Sequence, residues 1–200
     1  MTERLDSPLR REQIADAALA IVVEHGLGAV TVRRVAEAVG ISAAALYRHY
    51  KNKADILRAV LEEHNEIHMA NIRKAKTAAG PPLEALHTLY LTVMKLVERY
   101  RALPLVFLSD VLQFEEKRLK KLKMEHHRAT REALVELIAR GQQYGDIRSD
   151  IRAEELFIHF LGLIAMPALL LARSVDDVDI ARQTEANWTL FVQAVAPTPA

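Results

Sequence analysis

Residues 31–57 read TVRRVAEAVGISAAALYRHYKNKADIL, and the pattern of this stretch decides the fold. Its first half predicts a short helix that Thr31 caps, that carries apolar residues at helical spacing, and that Gly40 ends. Its second half predicts another short helix, from a Ser42 cap through Tyr50. Two short helices joined in this way are typical of a helix-turn-helix, in which the second helix enters the major groove of DNA.

Packing and charge in the same stretch agree with this interpretation. Ala36 is small where the two helices must approach, and Leu46 follows six residues after the glycine turn to fill the crevice between them. The segment 31–53 carries five basic side chains and one acid, Glu37, a local net charge of +4 in a chain whose total is +1. The basic residues are Arg33, Arg34, Arg48, Lys51 and Lys53. Binding to phosphates requires such a local excess of positive charge.

The composition of the 200-residue chain predicts an all-α protein. Seven glycines and seven prolines accompany 30 alanines, so turn formers are few and helix formers many. The periodicity predicts about nine helices, four short ones before the Gly/Pro cluster at 78–82 and five longer ones after it. The chain has no cysteine, which excludes disulfides, thiolate metal sites and a thiol nucleophile. Its first nine residues lack the order of charges of a secretory signal, so we expect a cytoplasmic protein.

The run Leu-Tyr-Arg-His-Tyr-Lys-Asn-Lys at 46–53 resembles the DNA-binding signature of tetracycline-repressor-type (TetR family) regulators, and the resemblance covers about residues 10–60. It implies an N-terminal three-helix DNA-binding domain followed by a C-terminal helical bundle, in a dimer. We therefore expect residues 1–53 to bind DNA and residues 54–200 to bind a ligand and to dimerise. The function implied is that of a repressor that binds a palindromic operator and that a small apolar effector releases.

The predicted DNA-binding residues come from both short helices and the start of the next: Thr31, Arg33, Ser42, Ala43, Ala44, Tyr47, Arg48, His49 and Lys53. The Tyr47 hydroxyl can reach a phosphate, and Lys53 adds its charge to a helix N-terminus. The resemblance implies that Tyr47, His49 and Lys53 approach the DNA backbone, while Arg33 can reach a base. Family members often carry a hydroxyl or an amide where this chain has alanines at 43–45. Direct readout is therefore expected to depend on Arg33 and Arg48, each of which can pair with guanine, helped by DNA shape.

The C-terminal helices are expected to supply a dimer interface and an effector pocket. The last two helices carry surplus apolar side chains, and the predicted interface residues are Leu156, Phe160, Leu163, Ile164, Trp188 and Phe191. Methionine, aromatic and histidine side chains suit an apolar ligand with one polar end. The predicted lining residues are His87, Tyr90, Met94, Phe107, Val111, Met124 and Met166. At helical spacing, both sets are also compatible with the ordinary core of one chain.

The sequence allows three other interpretations. A metal enzyme would start from His64 and His68, one helical turn apart, or from residues 125–127 with Glu132. No nucleotide-binding or nucleophile motif accompanies these histidines, so we expect no enzyme, no cofactor and no metal. A dimeric helical adaptor that does not bind DNA is the alternative function. The uncharged run 156–172 is at the lower length limit for a membrane span, but we expect a buried helix and no membrane partner.

Overall fold

The computed structural model describes residues 8–108, 117–173 and 179–197, and the regular structure in these ranges is helical throughout. The described helices are α1 Pro8–His25, α2 Val32–Val39, α3 Ala43–Tyr47, α4 Lys53–Thr77, α5 Pro82–Arg99, α6 Leu103–Leu108, α7 Lys117–Tyr144, α8 Ala153–Ala172 and α9 Ile180–Val195. A 3₁₀ turn, Leu27–Ala29, precedes α2 and was not predicted. The expected all-α fold of about nine helices is confirmed.

The chain divides into two compact units, each made of two segments. The N-terminal unit comprises Met1–Glu66 and Tyr100–Leu122, and the C-terminal unit comprises Ile67–Arg99 and Lys123–Ala200. Two of the three division points lie inside the long helices α4 and α7, and the third follows the end of α5 at Arg99. The functional boundary predicted between residues 53 and 54 stays a prediction, because compactness does not test which residues bind DNA.

The core of the N-terminal unit is built from the apolar faces that the sequence predicted for its first helices. Ile14 and Ala18 of α1, Ala36 of α2 and Leu46 of α3 are all fully buried in one cluster. Ala102, Leu103 and Val106, which lie about fifty residues after α4 begins, complete this cluster. Ala36 therefore allows the close approach of α2 and α3, and Leu46 fills the space between them, as predicted.

The turn between α2 and α3 has the geometry that its residues favour. The Thr31 hydroxyl accepts a hydrogen bond from Arg34 N at 3.1 Å, and the Ser42 hydroxyl accepts one from Ala45 N at 3.1 Å. Gly40 ends α2 in the left-handed region at φ +75°, which lets Ile41 N donate to the Ala36 carbonyl at 2.9 Å. The predicted extension of α3 to Tyr50 is wrong: the helix ends at Tyr47 as the chain turns toward α4.

The C-terminal unit packs α5, α7, α8 and α9 around a second apolar core. At its centre the ring of Tyr90 lies against Phe160 and Trp188, with ring centroids 6.3 and 5.7 Å apart. Burial raises the pKa of Tyr90, whose hydroxyl donates to the Thr184 carbonyl at 3.3 Å. Helix α8 is long and apolar enough to span a membrane by composition alone. It contributes Leu156, Phe157 and Phe160 to this core, while 33% of its most apolar window is buried, so the predicted buried helix stays a prediction.

Candidate nucleic-acid interface

The N-terminal turn of α2 presents polar side chains because its apolar residues point into the core. Val32, Val35 and Ala36 are buried, whereas Arg33 and Arg34 are exposed. The predicted base-reading residue Arg33 thus lies at the surface, next to the capping residue Thr31. Since the Thr31 hydroxyl accepts the Arg34 N–H, its own hydrogen is left to donate to a phosphate oxygen.

Helix α3 presents a narrow exposed face opposite its single buried anchor. Leu46 is fully buried, and Ala44, Tyr47 and Arg48, at i, i+3 and i+4, are exposed together. Tyr47 keeps 51% of its surface accessible, so its hydroxyl is available for an outside partner. The alanine at 43 is half-buried, so Ala44 is the better placed methyl group for contact with a thymine.

The basic side chains of this region lie at the surface. Arg33, Arg34, Arg48 and Lys51 are exposed and Lys53 is half-exposed. In the part of the chain that the structure describes, none of these five side chains forms an ion pair. Ser42 and His49, the remaining predicted contacts, are exposed as well. The surface therefore carries positive charge that a polyanion can neutralise.

The start of α4, where Lys53 lies, is held by a reciprocal set of hydrogen bonds. Asn52 Oδ1 accepts from Asp55 N at 2.9 Å, as the predicted cap requires. In return, Asp55 Oδ2 accepts from Lys51 N at 2.8 Å, and Asp55 Oδ1 accepts from Arg58 Nη2 at 3.2 Å. From the sequence, Asp55 was expected only to interact favourably with the dipole of α4. The Asn-x-x-Asp spacing resembles that of a capping box, but Asp55 accepts from Lys51 N, one residue before the Asn52 cap.

The residues of the predicted dimer interface differ in how far the single chain buries them. Leu156, Phe160 and Phe191 are buried in the single chain, so they belong to its own core. Leu163, Ile164 and Trp188 are half-buried and pack against the same core. The periodicity could not separate these roles, because α8 and α9 are apolar on more than one face. Their exposed apolar positions are instead Ile158, Gly162, Ala165 and Met166 on α8, and Ala186, Leu190 and Ala194 on α9.

The predicted effector-pocket residues fall into three groups. His87, Tyr90 and Met94 share one face of α5 in the C-terminal unit, where His87 stacks on Trp188 at 4.4 Å between ring centroids. Met124 and Met166 are 63% and 57% exposed, because each lies among exposed neighbours on its helix, so neither lines an enclosed site in this chain. Val111 and the side chain of Phe107 lie outside the described residues.

Two cavities of the structure have other linings. One of about 240 Å³ in the N-terminal unit lies between α1 and α4, beside Asp55 and Arg58. Another of about 250 Å³ in the C-terminal unit lies between the end of α4 and the start of α5, and alanines form much of its wall. Neither contains a residue of the predicted pocket.

The histidines considered as metal ligands have different aromatic neighbours. His64 meets the edge of Tyr100 in the N-terminal unit, with ring centroids 6.3 Å apart. His68 lies beside His126 in the C-terminal unit at 5.1 Å. Burial, and then the nearby His127, lower the pKa of His126. Within the described ranges, no group of three or more histidine, aspartate or glutamate side chains is arranged to hold a metal ion.

Comparison with known proteins identifies this surface. Residues 14–60, which include both short helices and the start of α4, match the family described as bacterial regulatory proteins, tetR family. The HTH-type transcriptional repressor KstR2 of Mycolicibacterium smegmatis is 26% identical over 154 residues, 74% of this chain and 72% of the relative. The HTH-type transcriptional regulator TtgR of Pseudomonas putida is 28% identical over 176 residues, 83% of each chain.

The fold agrees over nearly the full length. The crystal structure of the transcriptional regulator FadR from Bacillus subtilis in complex with stearoyl-CoA matches with a TM-score of 0.74 and 20% identity, covering 92% of this chain and 98% of that one. These relatives are regulators rather than enzymes, and they favour DNA binding over the helical adaptor without it. The chain is a DNA-binding transcriptional regulator, and its residues 14–60 match the tetR family of bacterial regulatory proteins.

Proposed function

We propose that the protein is a dimeric repressor whose two N-terminal units bind the half-sites of a palindromic operator, and that a small, largely apolar effector releases it. The observation that carries the proposal is the exposed face of Ala44, Tyr47 and Arg48 together with four further basic side chains, none of the five basic groups having an acidic partner among the described residues. Because this face reads DNA, we place the protein in the cytoplasm.

The roles of the side chains follow from their positions. Tyr47 and Lys53 contact phosphates and so fix the position of α3 in the groove, without reading sequence. Arg33 and Arg48 have exposed guanidinium groups that can donate two hydrogen bonds to O6 and N7 of guanine. Since Ala44 offers only a methyl group, sequence preference depends on these arginines and on the shape of the DNA.

The proposed dimer buries the exposed apolar positions of α8 and α9 against a second copy of the chain. Ile158 and Leu190 are each 63% exposed, so their burial against a second copy would remove apolar surface from water. Gly162 is exposed on the same face of α8, one turn after Ile158, and has open space at its Cβ position. A helix from a second copy can therefore approach closely there, and a two-fold pair explains a palindromic operator.

The effector proposal depends on the aromatic centre of the C-terminal unit. His87, Tyr90 and Met94 lie on one face of α5, with Trp188 against the first two. These groups combine polarisable apolar surface with an imidazole and a phenol that can orient a polar end. FadR of Bacillus subtilis, whose fold this chain shares, was crystallised with stearoyl-CoA, which has a long apolar tail. An effector of this general kind acts by binding more tightly to the conformation that does not fit DNA.

Salt-dependent DNA binding tests the first part of the proposal. The purified protein is titrated with a random-sequence duplex of about three helical turns at several salt concentrations. We expect steep salt dependence, and Lys53→Ala should lower the slope of log K against log salt by about 0.9 for each of the two phosphates per dimer that the lysines neutralise. Arg33→Ala should weaken binding to genomic fragments that the protein selects much more than binding to the random pool. Affinity that does not depend on salt would refute the proposal.

Sedimentation tests the dimer. Leu190→Asp and Ile158→Asp should each give a monomer at micromolar concentration, while the wild type sediments as a dimer. Leu91→Asp is the matched control, since Leu91 is also an exposed apolar residue of the C-terminal unit, 38% accessible, but belongs to α5 and to neither helix of the proposed interface. A wild-type monomer, or a dimer that survives both α8 and α9 substitutions, would contradict the interface.

A further inference from the structure

We infer that Asp55 is a positioning residue for DNA binding: its carboxylate sets the segment between α3 and α4 so that Lys53 meets the same phosphate backbone as Tyr47. The inference rests on the proposed function, because it assumes that Tyr47 and Lys53 contact phosphates. It assigns a role in binding to an acidic side chain, which by its charge alone repels DNA.

The segment from Tyr47 to Lys53 is tied at both ends. At its start, the Leu46 carbonyl accepts hydrogen bonds from His49 N at 3.0 Å and Tyr50 N at 2.9 Å. Leu46 is itself buried in the core, so this end is fixed to the body of the N-terminal unit. At its end, Asp55 Oδ2 accepts from Lys51 N at 2.8 Å. Only a few residues between these two anchors retain rotational freedom.

The Asp55 carboxylate is itself held in place. Arg58 Nη2 donates to Asp55 Oδ1 at 3.2 Å, and the two side chains are 24% and 19% exposed. Asp55 N also donates to Asn52 Oδ1, so the loop and the first turn of α4 restrain each other reciprocally. The two carboxylate oxygens accept hydrogen bonds from different donors. An amide at this position cannot replace them, because its NH₂ group would face one of these donors and cannot accept a hydrogen bond.

The guanidinium of Arg58 has a second consequence for DNA binding. It forms an ion pair with Asp55 and so offsets the negative charge of this carboxylate near the basic surface. The repulsion between Asp55 and a DNA phosphate is thereby reduced while the carboxylate positions Lys53. Arg58 therefore supports the positioning residue, although it lies on α4 one turn further from the DNA-binding segment than Asp55.

The test compares Asp55→Asn with Lys53→Ala, the double variant, and Asp55→Glu, on the random-sequence duplex at several salt concentrations. If Asp55 positions Lys53, Asp55→Asn weakens binding and lowers the salt slope by about 0.9 per subunit, the change expected when one phosphate is no longer neutralised. In the Lys53→Ala background it then has little further effect, because the phosphate contact is already absent. Asp55→Glu retains most of the affinity, since glutamate is the usual acid at this position of a capping box.

Glu155→Gln is the matched control. Glu155 occupies the equivalent position of α8, where its carboxylate accepts from Arg152 N at 3.2 Å and from the Arg152 guanidinium at 2.9 Å. The control removes the same charge and the same kind of hydrogen bonds, but in the C-terminal unit. It should leave the DNA affinity and the salt slope unchanged. Thermal melting of every variant checks that the protein is folded at the temperature of the binding measurements.

The outcomes separate three explanations. A purely electrostatic role for Asp55 predicts that Asp55→Asn binds DNA more tightly and with a steeper salt slope, which would overturn the inference. A purely structural role predicts an unchanged affinity for the folded protein, or a loss that adds fully to that of Lys53→Ala, and either result would also overturn it. If Lys53→Ala itself has no effect, the proposed phosphate contact fails and the inference fails with it. If only Asp55→Asn is without effect, the proposed function stands and the inference alone is wrong.

Discussion

Replacing Gly40 by alanine should destabilise the helix-turn-helix through backbone strain alone. Gly40 has φ +75° and ψ 32°, and a Cβ added there meets no atom within 4 Å. An L-residue in this left-handed region costs about 1–2 kcal/mol. The alanine also restricts the unfolded chain, which stabilises by about 0.4–1 kcal/mol and opposes the strain. The net loss of stability for Gly40→Ala is therefore about 1 kcal/mol.

Gly28→Ala is the control that isolates the strain. Gly28 also has open space at the Cβ position, but its φ is not in the left-handed region. Both substitutions restrict the unfolded chain equally, so this contribution cancels in the difference between them. Gly40→Ala should then be less stable than Gly28→Ala by the strain alone, about 1–2 kcal/mol. Gly40→Asn should lie between the two, because asparagine tolerates this region better than alanine.

Hydrogen exchange of the amides in α2 and α3 is the appropriate assay. The only tryptophan, Trp188, belongs to the C-terminal unit, so its fluorescence does not report on the turn. Exchange by local opening measures the stability of the N-terminal segment directly, provided that all variants are compared at one protein concentration. The reasoning would be refuted by equal protection of these amides in the Gly40→Ala and Gly28→Ala variants.

Three further predictions concern the C-terminal unit. A Cβ on Gly141 would lie 2.5 Å from Cδ1 of the buried Ile147 and 2.9 Å from Oδ1 of Asp146, so Gly141→Ala should cost about 1–3 kcal/mol in urea unfolding. It should cost less in an Ile147→Ala background, where only the Asp146 contact remains, and full additivity would contradict the clash with Ile147. Burial raises the pKa of Tyr90 above its ordinary 10.0, so the unfolded chain loses this proton first and stability should fall as the pH rises above 10. Tyr90→Phe should remove that loss in alkaline melting curves. The pKa of His126 is lowered from 6.5, so the unfolded chain binds this proton first and stability should fall as the pH drops below 6.5. His126→Gln should flatten this acid limb, and an unchanged limb would exclude His126 as its source.

The local structure of the DNA-binding segment could be predicted because single residues determine it. Thr31, Ser42 and Asn52 each cap the helix that the sequence assigned to them. Gly40 adopts the left-handed conformation that the end of α2 requires. These are short-range effects between residues three or four apart, so the sequence contains all the partners. The exposed positions of α2 and α3 then follow from the buried ones, Ala36 and Leu46.

The long-range arrangement could not be predicted in the same way. The cluster that buries α1 to α4 also includes Ala102 and Val106, and no pattern in the sequence indicates that these residues return to it. Likewise, α8 is apolar around most of its circumference, so periodicity alone does not say which face packs on α5. Phe160 faces the core of its own chain and Ile158 the solvent, although both are large apolar residues of the same helix. Only the packing of the other helices decides between them.

The hydrogen bonds at the start of α4 connect local backbone structure to the proposed DNA contact. A phosphate contact needs a basic side chain, but it also needs a backbone that holds that side chain at a fixed distance from its neighbours. Tyr47 belongs to α3 and Lys53 to α4, so the distance between them is set by the connecting loop and not by a helix. Between Leu46 and Ile56, a stretch that the structure describes throughout, no side chain is fully buried. Tyr50 is half-buried and packs against the core, and hydrogen bonds add to this restraint, of which Asp55 supplies the one that reaches back to Lys51. An acid that maintains this geometry within a basic surface is thus compatible with DNA binding, because the order it imposes on the loop outweighs the charge that Arg58 already offsets.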